Sequence, residues 1–426
     1  MPLIDVLALL IIMAAIFSYI NHVIFRLPET IGLLLAGLTA AAVLLIADRA
    51  APAMALTDEV QRAIAGIDFS GFLLRGILCF LLFAGALHLD VEDLRREKLS
   101  ILVLAFAGLV ISTAIIGLGS FALFRLFSVQ ISLAYCLVFG VVVSPTDPIA
   151  VIGIMKTAGA PRDLEVRLTG ESLFNDGIAV VLFSALSVIA TTANPTVGTV
   201  GRVAALIFLR EAIGGVALGL VTGFVTYRLM KRIDEPNVEV LLSVALVTAI
   251  SLVAANLHTS GPLASVVAGL FIGNQGRRFA MRDASRQALD VIWSFLDYVL
   301  NAVLFLLLGL ETVLLWRNAR ELVIMLAFIP LTLAARWLSV SASVTLLRRR
   351  VAFLRGWLTI LVWGGLRGGI SLALALSLPR FAGRDVVVAV TYGIVIFSIV
   401  VQGLTVRPLL ERTSAGRGPS GTARSA

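Results

Sequence analysis

Charged residues are scarce in this sequence. Asp, Glu, Lys and Arg make up 14% of the 426 residues, against roughly a quarter in an ordinary soluble domain. Hydrophobic residues account for 59%, and the mean hydropathy is +1.02. A soluble chain of this length could not bury so much apolar surface, so the composition predicts an integral membrane protein.

Cysteine, histidine and nucleotide-binding motifs are also rare or missing. Two cysteines, Cys79 and Cys136, lie inside apolar runs, and this count excludes a disulfide framework. The three histidines do not cluster, which argues against a transition-metal pathway. No Walker A motif is present, and no Ser/His or metal-ligand constellation supports an intramembrane enzyme. We therefore expect no cofactor and no enzymatic activity.

The amino-terminal residues 1–5 contain no basic region. A cleaved signal peptide begins with such a region, so the first apolar stretch is predicted to be a membrane span.

The apolar segments predict an all-α polytopic membrane protein. A window of about 20 apolar residues is enough to cross a bilayer. This window gives thirteen candidate spans, of which the ninth, after the turn residues at 260–262, is shorter than the rest. They lie at roughly 3–25, 28–47, 69–88, 100–124, 131–154, 165–191, 203–229, 238–256, 260–273, 290–315, 322–346, 357–378 and 385–410.

The basic residues predict the orientation of these spans. Of the 34 Lys and Arg residues, 22 fall in one alternating set of loops and eight in the other. The positive-inside rule then places the amino terminus outside and the carboxyl terminus in the cytoplasm of a multi-pass protein of the inner (plasma) membrane. The net charge of +8 is spread over short loops, so we expect a lipid bilayer and no nucleic acid as partner. The remaining four of the 34 basic residues lie within predicted spans; they are Arg75, Arg210, Arg336 and Arg367.

The sequence divides into a transmembrane domain, 1–411, and a short tail, 412–426. The tail is rich in Gly, Ser and Arg, which predicts a disordered cytoplasmic segment.

The fifth span contains Ser-Pro-Thr-Asp-Pro at 144–148. Pro145 and Pro148 each remove a helical N–H donor, so together they should unwind the helix in mid-membrane. The freed carbonyl groups need buried protein or a polar cavity as partner. Asp147 lies between the prolines, where it either caps the downstream half-helix or serves as a functional carboxylate.

The sixth span carries a second polar cluster, Glu-Ser-Leu-Phe-Asn-Asp-Gly at 171–177. At about 100° per residue, Glu171, Ser172, Asn175 and Asp176 fall within an arc of about 140°. One helix face is therefore rich in oxygen atoms, as a hard cation requires. The alternative is a polar seam that holds helices together.

The twelfth span contains an arginine among four glycines, Gly-Gly-Leu-Arg-Gly-Gly at 364–369. The glycines weaken the helix. Arg367 cannot lose its proton and needs a carboxylate partner at this depth. We expect that partner to be Glu171, with Arg367 supporting the site rather than transporting an ion.

The two weakened helices occupy matched places in the sequence. The fifth span is fifth in spans 1–6, and the twelfth is fifth in spans 8–13, which run in the opposite direction. This pattern is typical of an inverted-repeat transporter with its binding site at the midplane. Weaker signals are Asp297 and Asn301, one turn apart in the tenth span, with Glu311 near its outer end, and the intramembrane Arg336 of the eleventh span.

A buried carboxylate can hold a proton or a bare cation, and hardly both. We assign this role to Asp176, with Asp147, Ser172 and Thr146 completing the coordination of a cation such as Na⁺. Asn175 cannot ionise and is expected to bridge the sixth span to the broken fifth. If only Asp176 changes occupancy, one proton leaves for each cation, and the exchange is electroneutral. A second titrating acid, Asp147, would make it electrogenic.

The segments at 144–150, 170–177 and 365–368 resemble the signatures of the monovalent cation:proton antiporter 1 family, which includes the sodium/proton antiporters of NhaP type. The resemblance implies thirteen helices in an inverted repeat. It also implies a core bundle of spans 4–6 and 11–13, with the fifth and twelfth crossing as broken helices. That bundle would move against an interface domain, spans 1–3 and 8–10, within a homodimer.

The same resemblance implies that the ion contacts Asp147, Asp176, Ser172 and the Thr146 backbone, with Glu171 tied to Arg367. The Asn175-Asp176 pair matches the electroneutral branch of the family. The expected function is exchange of a monovalent cation, foremost Na⁺, for H⁺ by alternating access. Exchange of K⁺ or Li⁺ by the same mechanism, and a cation channel, are the alternatives.

Overall fold

The computed structural model describes residues 3–50, 71–147, 151–152, 155, 160–192, 197–315, 319–351, 353 and 356–413. Over these residues the regular secondary structure is entirely helical, which confirms the predicted fold class. The predicted tail lies, from residue 414 onward, outside the described residues.

Among the described residues of the amino-terminal half there are seven α-helices, and π-helical segments precede or follow several of them. The helices are α1 (Leu3–Ile20), α2 (Glu29–Ala50), α3 (Leu78–Leu87), α4 (Val91–Leu102), α5 (Leu109–Leu126), α6 (Leu133–Val143) and α7 (Arg162–Thr191). The π-helical segments are Asn21–Phe25, Phe72–Ile77 and Val103–Gly108.

In the part of the carboxyl-terminal half that the structure describes, ten further helices follow. They are α8 (Val197–Met230), α9 (Pro236–Leu257), α10 (Gly261–Phe271), α11 (Arg277–Phe279), α12 (Asp283–Leu315), α13 (Ala319–Leu347), α14 (Trp357–Trp363), α15 (Gly369–Leu376), α16 (Arg384–Phe397) and α17 (Gly403–Arg412). The π-helical segments here are Ile272–Gly276 and Ser398–Gln402.

Every predicted span overlaps at least one of these helices. Within the described residues, nine helical stretches are long and apolar enough to cross a membrane. The third, fifth and twelfth predicted spans are not among them, because their helices are short or interrupted. The ninth is not among them either, because its helical residues 261–279 end in polar and charged side chains. The count of thirteen crossings therefore stays a prediction.

The helix that contains the fourth span begins well before the predicted span of 100–124. The helix begins at Val91 rather than near residue 100, because the Asp90 carboxylate accepts the backbone N–H of Glu92 over 2.6 Å and caps it. Arg95, Arg96 and Lys98, predicted in a loop, therefore lie on α4.

Both predicted interruptions are present in the structure. Helix α6 ends at Val143, and residues 145–147 are not helical. Helix α14 ends at Trp363, and α15 begins only at Gly369. The crossing of the two broken helices and the inverted repeat stay predictions.

The helices pack in two groups. In the first, α5 packs on α6 and α13, α7 packs on α6, and α16 packs on α13 and α15. In the second, α2 packs along α12, α10 packs on α3 and α8, and α9 packs on α12. The groups meet where α7 contacts α8 and α10 and where α12 contacts α15 and α16. The interrupted helices thus belong to one group, and α12 to the other.

Candidate functional site

The interruption after α6 exposes backbone carbonyl groups that cannot find helical partners. Arg367 supplies these partners, because its Nη1 donates to the carbonyl oxygens of Ser144 and, over 3.0 Å, of Pro145. The Arg367 backbone N–H donates to Ser398 Oγ over 2.9 Å. In turn, the Asp147 backbone N–H donates to the Leu366 carbonyl oxygen over 2.7 Å. Each interruption therefore satisfies polar backbone groups of the other.

The predicted ion pair between Glu171 and Arg367 is wrong. The structure pairs Glu171 with Arg336 of α13, whose Nη1 and Nη2 donate to Oε1 and, over 3.2 Å, to Oε2. Arg336 Nη2 also donates to the Leu361 carbonyl oxygen over 2.8 Å. Both partners are buried, with 1% of Glu171 and 5% of Arg336 exposed. A buried ion pair needs good hydrogen-bond geometry to offset its lost hydration, and the bidentate arrangement provides it.

Glu171 pairs with Arg336 rather than with Arg367 for a chemical and a steric reason. The Arg367 guanidinium group is committed to the carbonyls of the broken helix. Gly365 leaves room for Arg336, since a Cβ at position 365 would lie 2.5 Å from Arg336 Nε. Arg336 is one of the four intramembrane basic residues, so the sequence offered it as a candidate without showing which carboxylate it faces.

Asn175 joins the helix α7 to the interruption, as predicted. Its Nδ2 donates to Thr146 Oγ1 over 2.9 Å, and the Thr146 and Ser172 hydroxyl oxygens lie 3.1 Å apart. All three side chains are buried. This network fixes the α7 face that carries Asp176 against the broken helix.

Asp176 lies on that face with 6% of its surface exposed. Its Oδ1 has no hydrogen-bond partner among the described residues, and the same holds for Asn175 Oδ1. Asp147 is half-buried and lines the same cavity as Asp176. A buried carboxylate oxygen without a donor is costly unless a proton or a cation occupies it.

A cavity of about 350 Å³ connects these acids to one end of the molecule. Asp147, Ser172 and Asp176 line it, and so do His88, which follows the last residue of α3, and Arg162, the first residue of α7. Thr146, Asn175, Glu171 and Arg367 are not among the lining residues, but the Thr146 hydroxyl oxygen lies 3.1 Å from that of Ser172, which is. The structure therefore brings the predicted site residues together, with the partner of Glu171 changed.

The cavity is also lined by two residues that were only weak signals in the sequence. Asp297 and Asn301 of α12 line the same cavity. Their spacing of one turn was visible, but nothing in the sequence indicated that α12 faces the broken helices.

Comparisons with known proteins agree with this architecture. Residues 9–412 match the family model described as "Sodium/hydrogen exchanger, transmembrane". The chain is 44% identical to the Na(+)/H(+) antiporter NhaP of Pseudomonas aeruginosa, over 97% of this chain and 98% of that protein. It is 33% identical to the Na(+)/H(+) antiporter NhaH of Halobacillus dabanensis, over 96% and 97%.

A solved structure shares the fold. The sodium proton antiporter MjNhaP1 from Methanocaldococcus jannaschii at pH 8 superposes with a TM-score of 0.74 at 18% identity, covering 96% of this chain and 98% of that one. At this level of identity the likeness shows the common architecture.

Proposed function

This chain belongs to the sodium/hydrogen exchanger family, and we propose that it exchanges sodium ions for protons across the membrane by alternating access. The observation that carries the proposal is the Asp176 carboxylate, which is buried, lines the cavity, and has an oxygen without a donor among the described residues. Such a group needs either a proton or a cation.

The coupling follows from competition at one site. When Asp176 is ionised, it and Asp147 offer negative charge and oxygen ligands to a small hard cation, with Ser172 and the Thr146 backbone completing the shell. When a proton neutralises Asp176, the site loses its charge and releases the ion. Sodium and protons are then carried in opposite directions because they cannot occupy the site together.

The stoichiometry follows from which groups change occupancy. Asn175 cannot ionise, and its amide is already bonded to Thr146. If Asp176 alone exchanges a proton for a sodium ion, no net charge moves in a cycle. Exchange should then be electroneutral.

The motion we propose uses the two helix groups. The group with the broken helices, spans 4–6 and 11–13, would move against spans 1–3 and 8–10, which would form the interface of a homodimer. The cavity reaches the end that carries His88, Arg162 and Glu165, and the positive-inside rule places that end in the cytoplasm of a plasma-membrane protein. The conformation described here would then be open to the inside.

The experiment is a sodium pulse applied to proteoliposomes that contain a pH-sensitive dye, with the membrane potential clamped. We expect sodium to drive proton movement, and the rate should not change with the clamped potential. Pulses of Li⁺ and K⁺ distinguish the alternative cations. Cation flux without any pH change would instead indicate a channel and contradict the proposal.

A further inference from the structure

The cavity has a second group of oxygen ligands, separate from the broken helices. Ser294, Asp297 and Asn301 of α12 all line it. Their spacing of three and four residues places them on one face of the helix. This face belongs to the helix group that does not carry Asp147 and Asp176.

Asn301 presents a buried oxygen that lacks a partner. Its Nδ2 donates to the Asp297 carbonyl oxygen over 2.9 Å and to Asp297 Oδ1 over 3.1 Å. Because both neighbours are acceptors, they fix the orientation of the amide, and the opposite orientation would set oxygen against oxygen. Asn301 Oδ1 therefore is the free atom; it has no hydrogen-bond partner among the described residues, and only 6% of the residue is exposed.

The chemistry of this group selects a cation. The Asp297 carboxylate and the Asn301 amide oxygen are acceptors, and an unpaired buried acceptor is costly. The basic side chains among the lining residues are engaged elsewhere: Arg162 lies 3.3 Å from both Asp93 and Glu165, and His88 lies 3.4 Å from Asp290. The negative charge of Asp297 therefore stays available to an ion in the cavity.

The group shares its cavity with the exchange site, because Asp297 and Asn301 line the cavity that Asp147 and Asp176 also line. We propose that Asp297 and Asn301 form a second cation position on α12, at which a sodium ion is held before it reaches Asp147 and Asp176. This inference rests on the proposed sodium/proton exchange.

A position of this kind has a defined kinetic signature. It raises the local concentration of sodium and takes no part in the proton exchange at Asp176. Removing it should weaken binding of sodium and leave the maximal rate nearly unchanged. We expect KM for sodium to rise about three- to tenfold in Asp297→Asn and in Asn301→Ala, with kcat within about twofold of wild type.

The test compares these variants with wild type in proteoliposomes, over a range of sodium concentrations. Asn301→Ala keeps the charge of the cavity, so it separates direct coordination from a long-range field. Asp283→Asn removes a charge from the exposed start of the same helix, where the Asp283 side chain is 91% exposed, and serves as the matched control.

A binding measurement gives a readout that does not depend on transport. Full-length Asp176→Asn protein should retain weak binding of radioactive sodium, and the double variant Asp176→Asn/Asp297→Asn should lose it. The inference would be overturned by an unchanged KM in both single variants, or by a raised KM in Asp297→Asn alone. It would also be overturned by equal sodium binding in the two Asp176 variants, which would mean that water rather than sodium occupies these oxygens.

The two proposals fail in distinguishable ways. If wild-type protein shows no sodium-driven proton movement, the proposed exchange is wrong. If wild-type exchange is intact and the α12 variants match it, only the second cation position is wrong.

Discussion

The backbone N–H of Asp147 donates to the carbonyl oxygen of Leu366 over 2.7 Å. This bond joins the two places where the helices are interrupted. Arg367 adds to this connection, because its side chain donates to the carbonyl oxygens of Ser144 and Pro145. In a bilayer, neither interruption could stand alone, because its unpaired backbone groups would have no water to bond. The interruptions therefore stabilise each other, and they hold Asp147 beside the cavity that Asp176 also lines.

Asp176→Asn should abolish exchange and leave a folded, membrane-inserted protein. The amide cannot take up or release a proton, so the competition between sodium and protons is lost. Sodium-driven pH change in proteoliposomes measures the effect, and size-exclusion chromatography checks the fold. Asp385→Asn, at a side chain that is 98% exposed, is the control and should exchange normally. Transport at the wild-type rate in Asp176→Asn would refute the assignment.

The apparent KM for sodium should depend on pH. Protons and sodium compete for one carboxylate, so where the protonated form predominates, KM should rise about tenfold for each unit by which the pH falls. Sodium titrations in proteoliposomes at several symmetric pH values give this slope. A KM that does not change over the full active pH range would contradict competition at a single site.

Gly368→Ala should reduce exchange strongly. A Cβ at this position would lie 2.5 Å from Asp147 Cβ and overlap the carboxylate, so Asp147 must move. We expect a loss of stability of about 1–3 kcal/mol together with the loss of rate. Gly201→Ala is the matched control, since a Cβ there meets nothing within 4 Å. Thermal unfolding and exchange rates of both variants test this, and a fully active Gly368→Ala would show that the close approach is not required.

Glu171→Gln and Arg336→Ala should each destabilise the protein. Either change leaves a buried charge without its partner, which costs about 3–5 kcal/mol. The exposed pair Arg407 and Glu411, 3.1 Å apart one turn along α17, is the comparison. Breaking it should cost less than about 0.5 kcal/mol. Thermal unfolding in detergent measures the loss of stability for both pairs. Equally small losses would show that the buried pair has no structural role.

Arg367→Lys should lower both protein yield and exchange, although the charge is kept. Nη1 of Arg367 bonds both carbonyl oxygens, and the rigid guanidinium plane fixes the directions of its N–H groups, which a freely rotating lysine ammonium group does not. The exposed Arg407→Lys is the control for the substitution itself. Normal yield and exchange rate in Arg367→Lys would mean that a positive charge is sufficient at this position. The bonds to the two carbonyl oxygens would then not be required to stabilise the interrupted helix.

Several features of the site could be predicted from the sequence because they depend on one helix at a time. The rotation per residue is fixed in an α-helix, so the spacing of Glu171, Ser172, Asn175 and Asp176 was enough to place all four on one face. The structure buries all four. Pro145 predicted the interruption in the same local way, since proline removes a helical donor wherever it occurs. Pro148, the second proline of this motif, lies outside the described residues.

The sequence by itself thus determined a helical membrane protein, its polar faces and its interrupted helices. Only the tertiary structure decided that Glu171 pairs with Arg336, that Arg367 binds the carbonyls of the broken helix, and that α12 presents Asp297 to the cavity. The physical reason is that periodicity fixes the direction of a side chain relative to its own helix axis. Which helix it then faces depends on packing between segments far apart in the chain, and several carboxylate–arginine pairings satisfy the same burial and charge requirements.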